Sequence, residues 1–412
     1  MNSFEYLKYS ATEPMTVLRR KFNDGESIYK DTPVELSIDD ARYDVLYVQY
    51  VLENAYSGYS SYDETLFRTA FISVLDELNS LEKITPNELI DLMCKHLSFI
   101  SDGHLSLSTQ DYGKGFYKKE QTYVSDLLLS KTDDCYFDLC SGKQVSFDST
   151  LRIFPTVSMN GSDAYLLGIR SKEQIEAISV RIGNTEEVLP VHKIKSHTTT
   201  KEFLVDECYH GDTAIITCSS FVGDSEAQMN KLYETGKKCR NYKHVVWDLS
   251  NNLGGNSELP KQFLLGLTGG FRDALKFFEL RSTLVHAKEY GTIQDVPYRF
   301  EQICNEQTES ADLFNGELHV IINDMVASST EIAVAWAASL PRVTFYGCNS
   351  LGIGCFGDLC IYYLPNSQVV LWCPQKVFDT NIVETVGFEP DYWIDSNDVV
   401  TPVQNKINST VR

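Results

Sequence analysis

The spacing of apolar residues changes twice along the chain, dividing it into three stretches. After Ser37-Ile-Asp-Asp, which has the composition of a helix start, Tyr43, Val45, Leu46, Val48, Val51 and Leu52 recur at roughly helical spacing. Residues 67–81 and 86–99 repeat that period, the latter through Leu89, Ile90, Leu92, Met93 and Leu97. The first 37 residues are polar and mixed and carry no strong period. From 110 to 210 the runs shorten and alternate between turn signals, at 122–129, 135–140, 144–147 and 151–159, which predicts a β-rich region with a helix near 171–178. From Thr213 strand-like and helix-like stretches alternate, with strands at 214–218 and 244–249 and helices at 225–239 and 257–267. A strand at 319–323, an Ala-rich helix at 331–340 closed by Pro341 and a strand at 342–347 follow. This is the signature of βαβ units, whose functional loops lie at strand C-terminal ends.

The expected organisation is an α/β chain in three parts. Residues 1–108 form a helical N-terminal domain, 109–212 a β-rich middle region, and 213–412 an αβ domain. Ser328 and Ser329 fall at the turn feeding the Ala-rich helix, where unpaired N–H groups and the helix dipole favour negative charge. A serine there is either a plain N-cap or a nucleophile beside the oxyanion-stabilising amide of Ser329. Gly254-Gly255 falls at another strand end, and His104 stands after a turn glycine where helix gives way to strand.

Composition narrows the partners. The net charge of −21, from 36 basic against 57 acidic residues, argues against nucleic acid or an anionic membrane as the main partner. The 11 cysteines are scattered, and Cys135/Cys140 and Cys355/Cys360 lack the two-residue gap of zinc or redox motifs, so the expectation is reduced, structural thiols and no metal or other cofactor. The first residues lack the apolar core of a signal peptide, and no apolar run reaches membrane-spanning length. The simplest expectation is a cytoplasmic protein, or an exported one if a signal has been removed.

Four separated segments resemble the marks of the C-terminal-processing serine peptidase family: Asp-Gly-His at 102–104, Asp-Leu-Ser-Asn-Asn-Leu-Gly-Gly at 248–255, Ser-Ser-Thr-Glu at 328–331 and Glu-Thr-Val-Gly-Phe-Glu-Pro-Asp at 384–391. The order matches the family, and the resemblance is firmest over 213–393. It implies a crotonase/ClpP-like fold for residues 213–412, with peptides or unfolded proteins as substrates. In the tail-specific branch the serine works with a lysine; the matching position here holds Ile353. The tricorn-core-like branch uses a histidine base and a glutamate. That resemblance implies Ser328 as nucleophile, His104 as general base, Glu384 as the group orienting the histidine, and the amides of Ser329, Gly254 and Gly255 as the oxyanion hole. Two positions depart from the pattern: Gly103 replaces the serine that precedes the tricorn-core histidine, and Ser250 replaces an arginine. The same scaffold is similar to interphotoreceptor retinoid-binding modules, so a catalytically silent carrier of an apolar ligand or peptide is the alternative. A crotonase-like thioester enzyme is a third reading, which the serine and histidine do not favour.

Overall fold

The computed structural model describes residues 3–195, 205–270, 275–303 and 313–410. Two compact units emerge, each assembled from three stretches of chain: Met1–Lys118, Leu275–Glu306 and Ile353–Thr380 in the first, Lys119–Ala274, Gln307–Gly352 and Asn381–Arg412 in the second. The linear parts 1–108, 109–212 and 213–412 do not coincide with these units. The short strand Ser106–Ser108 explains why: its partner is Val370–Asp379, more than 250 residues later, and that strand also pairs with Lys276–Arg281 and Phe356–Tyr363.

The first unit packs helices on this antiparallel sheet. Its long helix, Ile38–Ala55, starts where the Ser37 side chain accepts the Asp40 amide. Pro86–His96 begins with a capping box, in which Thr85 Oγ1 accepts the Glu88 amide and the Glu88 carboxylate accepts the Thr85 amide. Glu64–Leu78 lies between them in sequence. Val48, Val51 and Leu52 bury the inner face of the first helix against Phe67, Leu89, Leu107 and Leu371. Each large aliphatic side chain so buried contributes about 1.5–3 kcal/mol. Asp44, also inside, accepts the amides of Asn366 and Ser367 at 2.9 and 2.7 Å, pinning the helix to the turn between the two long strands. Two further helices, Ser3–Ser10 and Met15–Asp24, occupy the stretch in which the sequence shows no strong period.

The second unit has two sheets. An antiparallel one runs in the order Thr185–Pro190, Ala177–Ile182, Gln144–Ser146, Cys135–Asp138, Gln121–Thr132, Asp163–Ser171, Arg152–Val157, the β-rich region that the alternating runs predict. The helix expected near 171–178 is absent. Asp163–Ser171 and Ala177–Ile182 are strands, and Ile178, Val180 and Ile182 are buried while Ala177, Ser179 and Arg181 are exposed, a period of two that overrides the polar Lys172–Glu176 stretch. The other sheet begins with Asp206–His210 antiparallel to Thr213–Thr217 and continues in parallel through His244–Asp248, Glu317–Ile322, Val343–Gly347 and Tyr392–Trp393. Helices Glu226–Cys239, Glu258–Thr268 and Ser329–Ala338 connect these strands. The chain is thus of the α/β class, with its helical N-terminal part and β-rich middle as expected. Its described cysteines are all free thiols, six of them buried. Among the described residues no helix is long and apolar enough to cross a membrane.

Candidate active site

Ser328 sits at the turn between the buried strand Glu317–Ile322 and the helix Ser329–Ala338. Its backbone has φ 54° and ψ −124°, a region that costs a non-glycine residue about 1–3 kcal/mol. Its side chain makes no capping hydrogen bond to the helix. The plain N-cap alternative therefore fails here: the helix begins at Ser328 without using its side chain as a cap. A strained serine on a strand-to-helix turn is the device by which a nucleophile is lifted clear of its own backbone.

A second loop is pressed against that turn. Gly254 has φ 97°, and a Cβ on it would lie 2.8 Å from Ala327 O and 3.0 Å from both Ser328 Cβ and Ser329 N. Only glycine permits this approach. Two asparagines lock the loops together. Asn252, fully buried, receives the Gly254 amide and the Thr330 hydroxyl on Oδ1 at 3.0 and 2.8 Å, donates Nδ2 to Cys218 O, and accepts the Ala327 amide on its carbonyl. Asn323 accepts the amides of Asn251 and Met325 on Oδ1 and donates to Asn251 Oδ1 at 3.0 Å. The Gly254 amide is thus engaged by Asn252. The amides of Gly255 and Ser329 donate to no group among the described residues, and Phe221 pairs with the opposite edge of the Gly255 segment. Ser250 is fully buried and gives its amide to Asp248 Oδ1.

Behind Ser328 the helix carries a buried carboxylate, Glu331, in its first turn, where the dipole favours a negative group. Its Oε1 accepts the Ser350 hydroxyl at 2.5 Å and the Gly352 amide at 2.9 Å. Ser350 Oγ in turn accepts the Phe388 amide, Gly352 O accepts the Thr385 amide, and Asn349 Nδ2 reaches Val386 O. These bonds fasten the turn that bears Glu384, which is half-buried between Val383 and the bridge partner Gly387. The nearby Glu389 is otherwise committed, pairing with Arg170 at 2.7 Å and Arg152 at 3.3 Å. Lys119 Nζ, its pKa lowered by burial, donates to Asp324 O and Ser350 O, bridging the Ser328 and Glu331 loops.

His104 belongs to the first unit. Asp102 Oδ1 accepts its amide at 2.8 Å and that of Leu105 at 3.2 Å, so the Asp-Gly-His segment is a side-chain-stabilised turn. Burial lowers the imidazole pKa to about 4 and raises the Asp102 carboxyl to about 7, against the pull of the two amides. Ile353 and Lys376 are also in the first unit, where Lys376 Nζ pairs with Asp358 at 2.7 Å. In the second unit the structure gathers Ser328, Ser329, Gly254 and the Glu384 turn into one bonded framework. Sequence reasoning missed Asn252, Asn323, Lys119, Glu331 as a carboxylate partner, and Ser350. Only the Asn-Asn before Leu-Gly-Gly and the Ser-x-x-Glu spacing signalled any of them.

Residues 212–392 match the model of peptidase family S41. The coarse functional class that goes with it is a serine peptidase, a hydrolase acting on peptides or proteins. No curated protein matches the chain in sequence. Similar solved structures include mature CPAF complexed with lactacystin (10% identity, TM-score 0.47, 91% of this chain and 99% of that one). A putative peptidase from Parabacteroides merdae is similar at 14% identity and TM-score 0.46, over 91% and 96% of the two chains. The photosystem II D1 C-terminal processing protease is similar at 13% and 0.42, over 89% and 96%.

Proposed function

We propose that the protein is an S41 serine peptidase that cleaves peptide bonds through an acyl-enzyme, with Ser328 as nucleophile, His104 as general base and Glu384 as the group that orients the histidine. The observation carrying this reading is the backbone of Ser328: a strained conformation, at a strand-to-helix turn, on a serine that does not cap its helix. A hydroxyl is a weak nucleophile at neutral pH and needs a base within hydrogen-bond reach. His104, held neutral by burial, is in the correct protonation state across the physiological range. In the reaction it takes the Ser328 proton as Oγ attacks the carbonyl carbon, then returns it to the leaving amine. A second cycle, with water in place of the serine, releases the acyl group. Glu384 stabilises the imidazolium formed in both cycles. The oxyanion is received by the amides of Ser329 and Gly255. Gly254 contributes its missing Cβ, because its own amide is held by Asn252. Losing one such donor costs roughly 3–4 kcal/mol of transition-state stabilisation.

The test is labelling by a fluorophosphonate probe together with turnover of a mixed peptide library. Wild type should react and cleave, and Ser328→Ala should do neither while staying folded. A folded wild type that neither labels nor cleaves would favour the silent carrier. Cleavage surviving in purified Ser328→Ala would move the nucleophile elsewhere.

A further inference from the structure

We propose that His244, Glu317 and His319 form a binding site for a divalent transition-metal ion of the zinc class, at the end of the parallel sheet opposite Ser328. His244 opens the strand His244–Asp248 and Glu317 opens its parallel neighbour, in the register His244↔Glu317 and Val246↔His319. Residues two apart on a strand share a face, and in-register residues of parallel neighbours do so too. The pairing therefore brings three donor groups to one side of the sheet, although the histidines are 75 residues apart in sequence.

Three distances carry the argument. His244 Nδ1 lies 3.2 Å from Glu317 Oε2, His319 Nε2 lies 3.7 Å from the same oxygen, and the two nitrogens are 3.4 Å apart. A tetrahedral zinc ion with bonds of about 2.0–2.1 Å needs ligand atoms about 3.3–3.4 Å from one another. Direct hydrogen bonding satisfies the trio poorly: only the His244–Glu317 separation is near a normal length, and 3.7 Å is beyond one. A cation at the centre would serve all three at once. Both histidines are buried.

The surroundings fit a ligand site. Tyr346 Oη lies 3.4 Å from His319 Nδ1, the atom whose proton must be held if Nε2 is to offer its lone pair. A surface cavity lined by Glu317, His319, Tyr346 and Tyr392 gives access and room for water as a fourth ligand. The two cations on that cavity have anchors of their own: Arg342 donates to Gly316 O and Phe314 O, and Lys406 pairs with Asp163. The second His-carboxylate group of the unit, Asp126, His192 and Asp395, is already satisfied, since Asp395 accepts His192 Nε2 at 2.8 Å and the Lys195 amide at 2.7 Å. Two imidazoles and one carboxylate suit zinc over magnesium or calcium, which prefer all-oxygen sets. The ion would tie two central strands together, so its role is to brace the sheet.

The experiment is titration of the chelator-stripped full chain with Zn²⁺ by calorimetry and with Co²⁺ by visible absorption. To remove thiol sinks it is run in a Cys140→Ser, Cys208→Ser background, both positions being exposed. The expected result is one equivalent bound with micromolar or tighter affinity. The cobalt spectrum should be tetrahedral without a sulfur charge-transfer band, and Zn²⁺ should raise the melting temperature by about 5 °C. Glu317→Gln alters a half-exposed side chain and should keep the fold while weakening binding at least about 100-fold, more than loss of an outer-shell partner costs. His192→Asn should leave binding unchanged. Absence of stoichiometric binding in the parent protein, or binding that persists in Glu317→Gln, or loss in His192→Asn alone, would overturn the proposal. None of these readouts depends on peptidase activity.

Discussion

Gly103 and Ile353 compete for one space: a Cβ on residue 103 would stand 1.9 Å from Ile353 Cγ2 and 2.9 Å from the Tyr117 hydroxyl. Gly103 and Ile353, two positions at which the chain differs from the patterns it resembles, thus form a single packing event. The branched side chain of Ile353 leaves no room for a side chain at position 103, serine included. Gly103→Ser should destabilise the protein by about 1–3 kcal/mol as an overpacking change. In an Ile353→Ala background the same substitution should cost under about 1 kcal/mol. Urea unfolding of the four proteins checks this, and additive effects would show that the two residues do not share the space.

Strain at Ser328 has a measurable signature apart from chemistry. Ser328→Gly should be more stable than Ser328→Ala by about 1–2 kcal/mol, because glycine adopts the positive φ without cost. Both should be inactive. Equal thermal stabilities would mean that the turn relaxes when the hydroxyl is removed.

Glu384 and Glu389 should separate by the kind of damage they cause. Glu384→Gln is expected to lower kcat at least about 100-fold with little change in stability. Glu389→Gln leaves the largely buried Arg170 guanidinium without its ion-pair partner and should cost about 1–2 kcal/mol of stability, with kcat nearly intact. Steady-state kinetics beside thermal melts decides, and the reverse pattern would move the orienting role to Glu389.

The acid limb of kcat/KM should lie well below the ordinary histidine range. The base must be neutral, and burial depresses His104 to about 4, so activity of the free enzyme should fall as pH drops toward 4 and should be flat from 6 to 7. Stability carries the same sign for this group. Between about 4 and 6.5 the unfolded chain binds the His104 proton and the folded chain does not, so this contribution strengthens as pH rises. Asp102 runs the other way: its folded pKa is raised to about 7, so its contribution is present below the unfolded value and is lost as pH rises through 7. Asp102→Asn should therefore gain stability over wild type across that window, by at least about 1.4 kcal/mol, one pKa unit's worth, and level off above it. Chemical unfolding at a series of pH values tests the sign.

What could be read in advance was local. Ser328 at a strand-to-helix turn, the Gly254-Gly255 loop and the alternating β-rich region all follow from patterns a few residues long. The helices Ser3–Ser10 and Met15–Asp24 were hidden because their apolar residues, such as Tyr6, Met15 and Leu18, are too few to set a period. Lys172–Glu176 looked helical because charge at that spacing is ambiguous, and Ile178, Val180 and Ile182 decide only once their neighbours in the sheet are known. The hub at Asn252, the Glu331–Ser350 pair and the His244–Glu317–His319 triangle depend on strand register across tens of residues. No window along the chain contains them. Lys119 precedes Ser328 by more than 200 residues, and no local pattern links the two.

The interleaving of the two units sets the order in which the molecule can be made. The strand Val370–Asp379 is the partner of Ser106–Ser108, of Lys276–Arg281 and of Phe356–Tyr363, so the first unit's sheet lacks its middle until residues 370–379 have left the ribosome. The helices that precede Ser106, synthesised well before that strand, must wait with an uncovered apolar face, the condition in which chaperones bind and premature chains aggregate. A chain released early, even just short of residue 370, cannot yield a finished first unit, and quality control would meet it as unfolded protein.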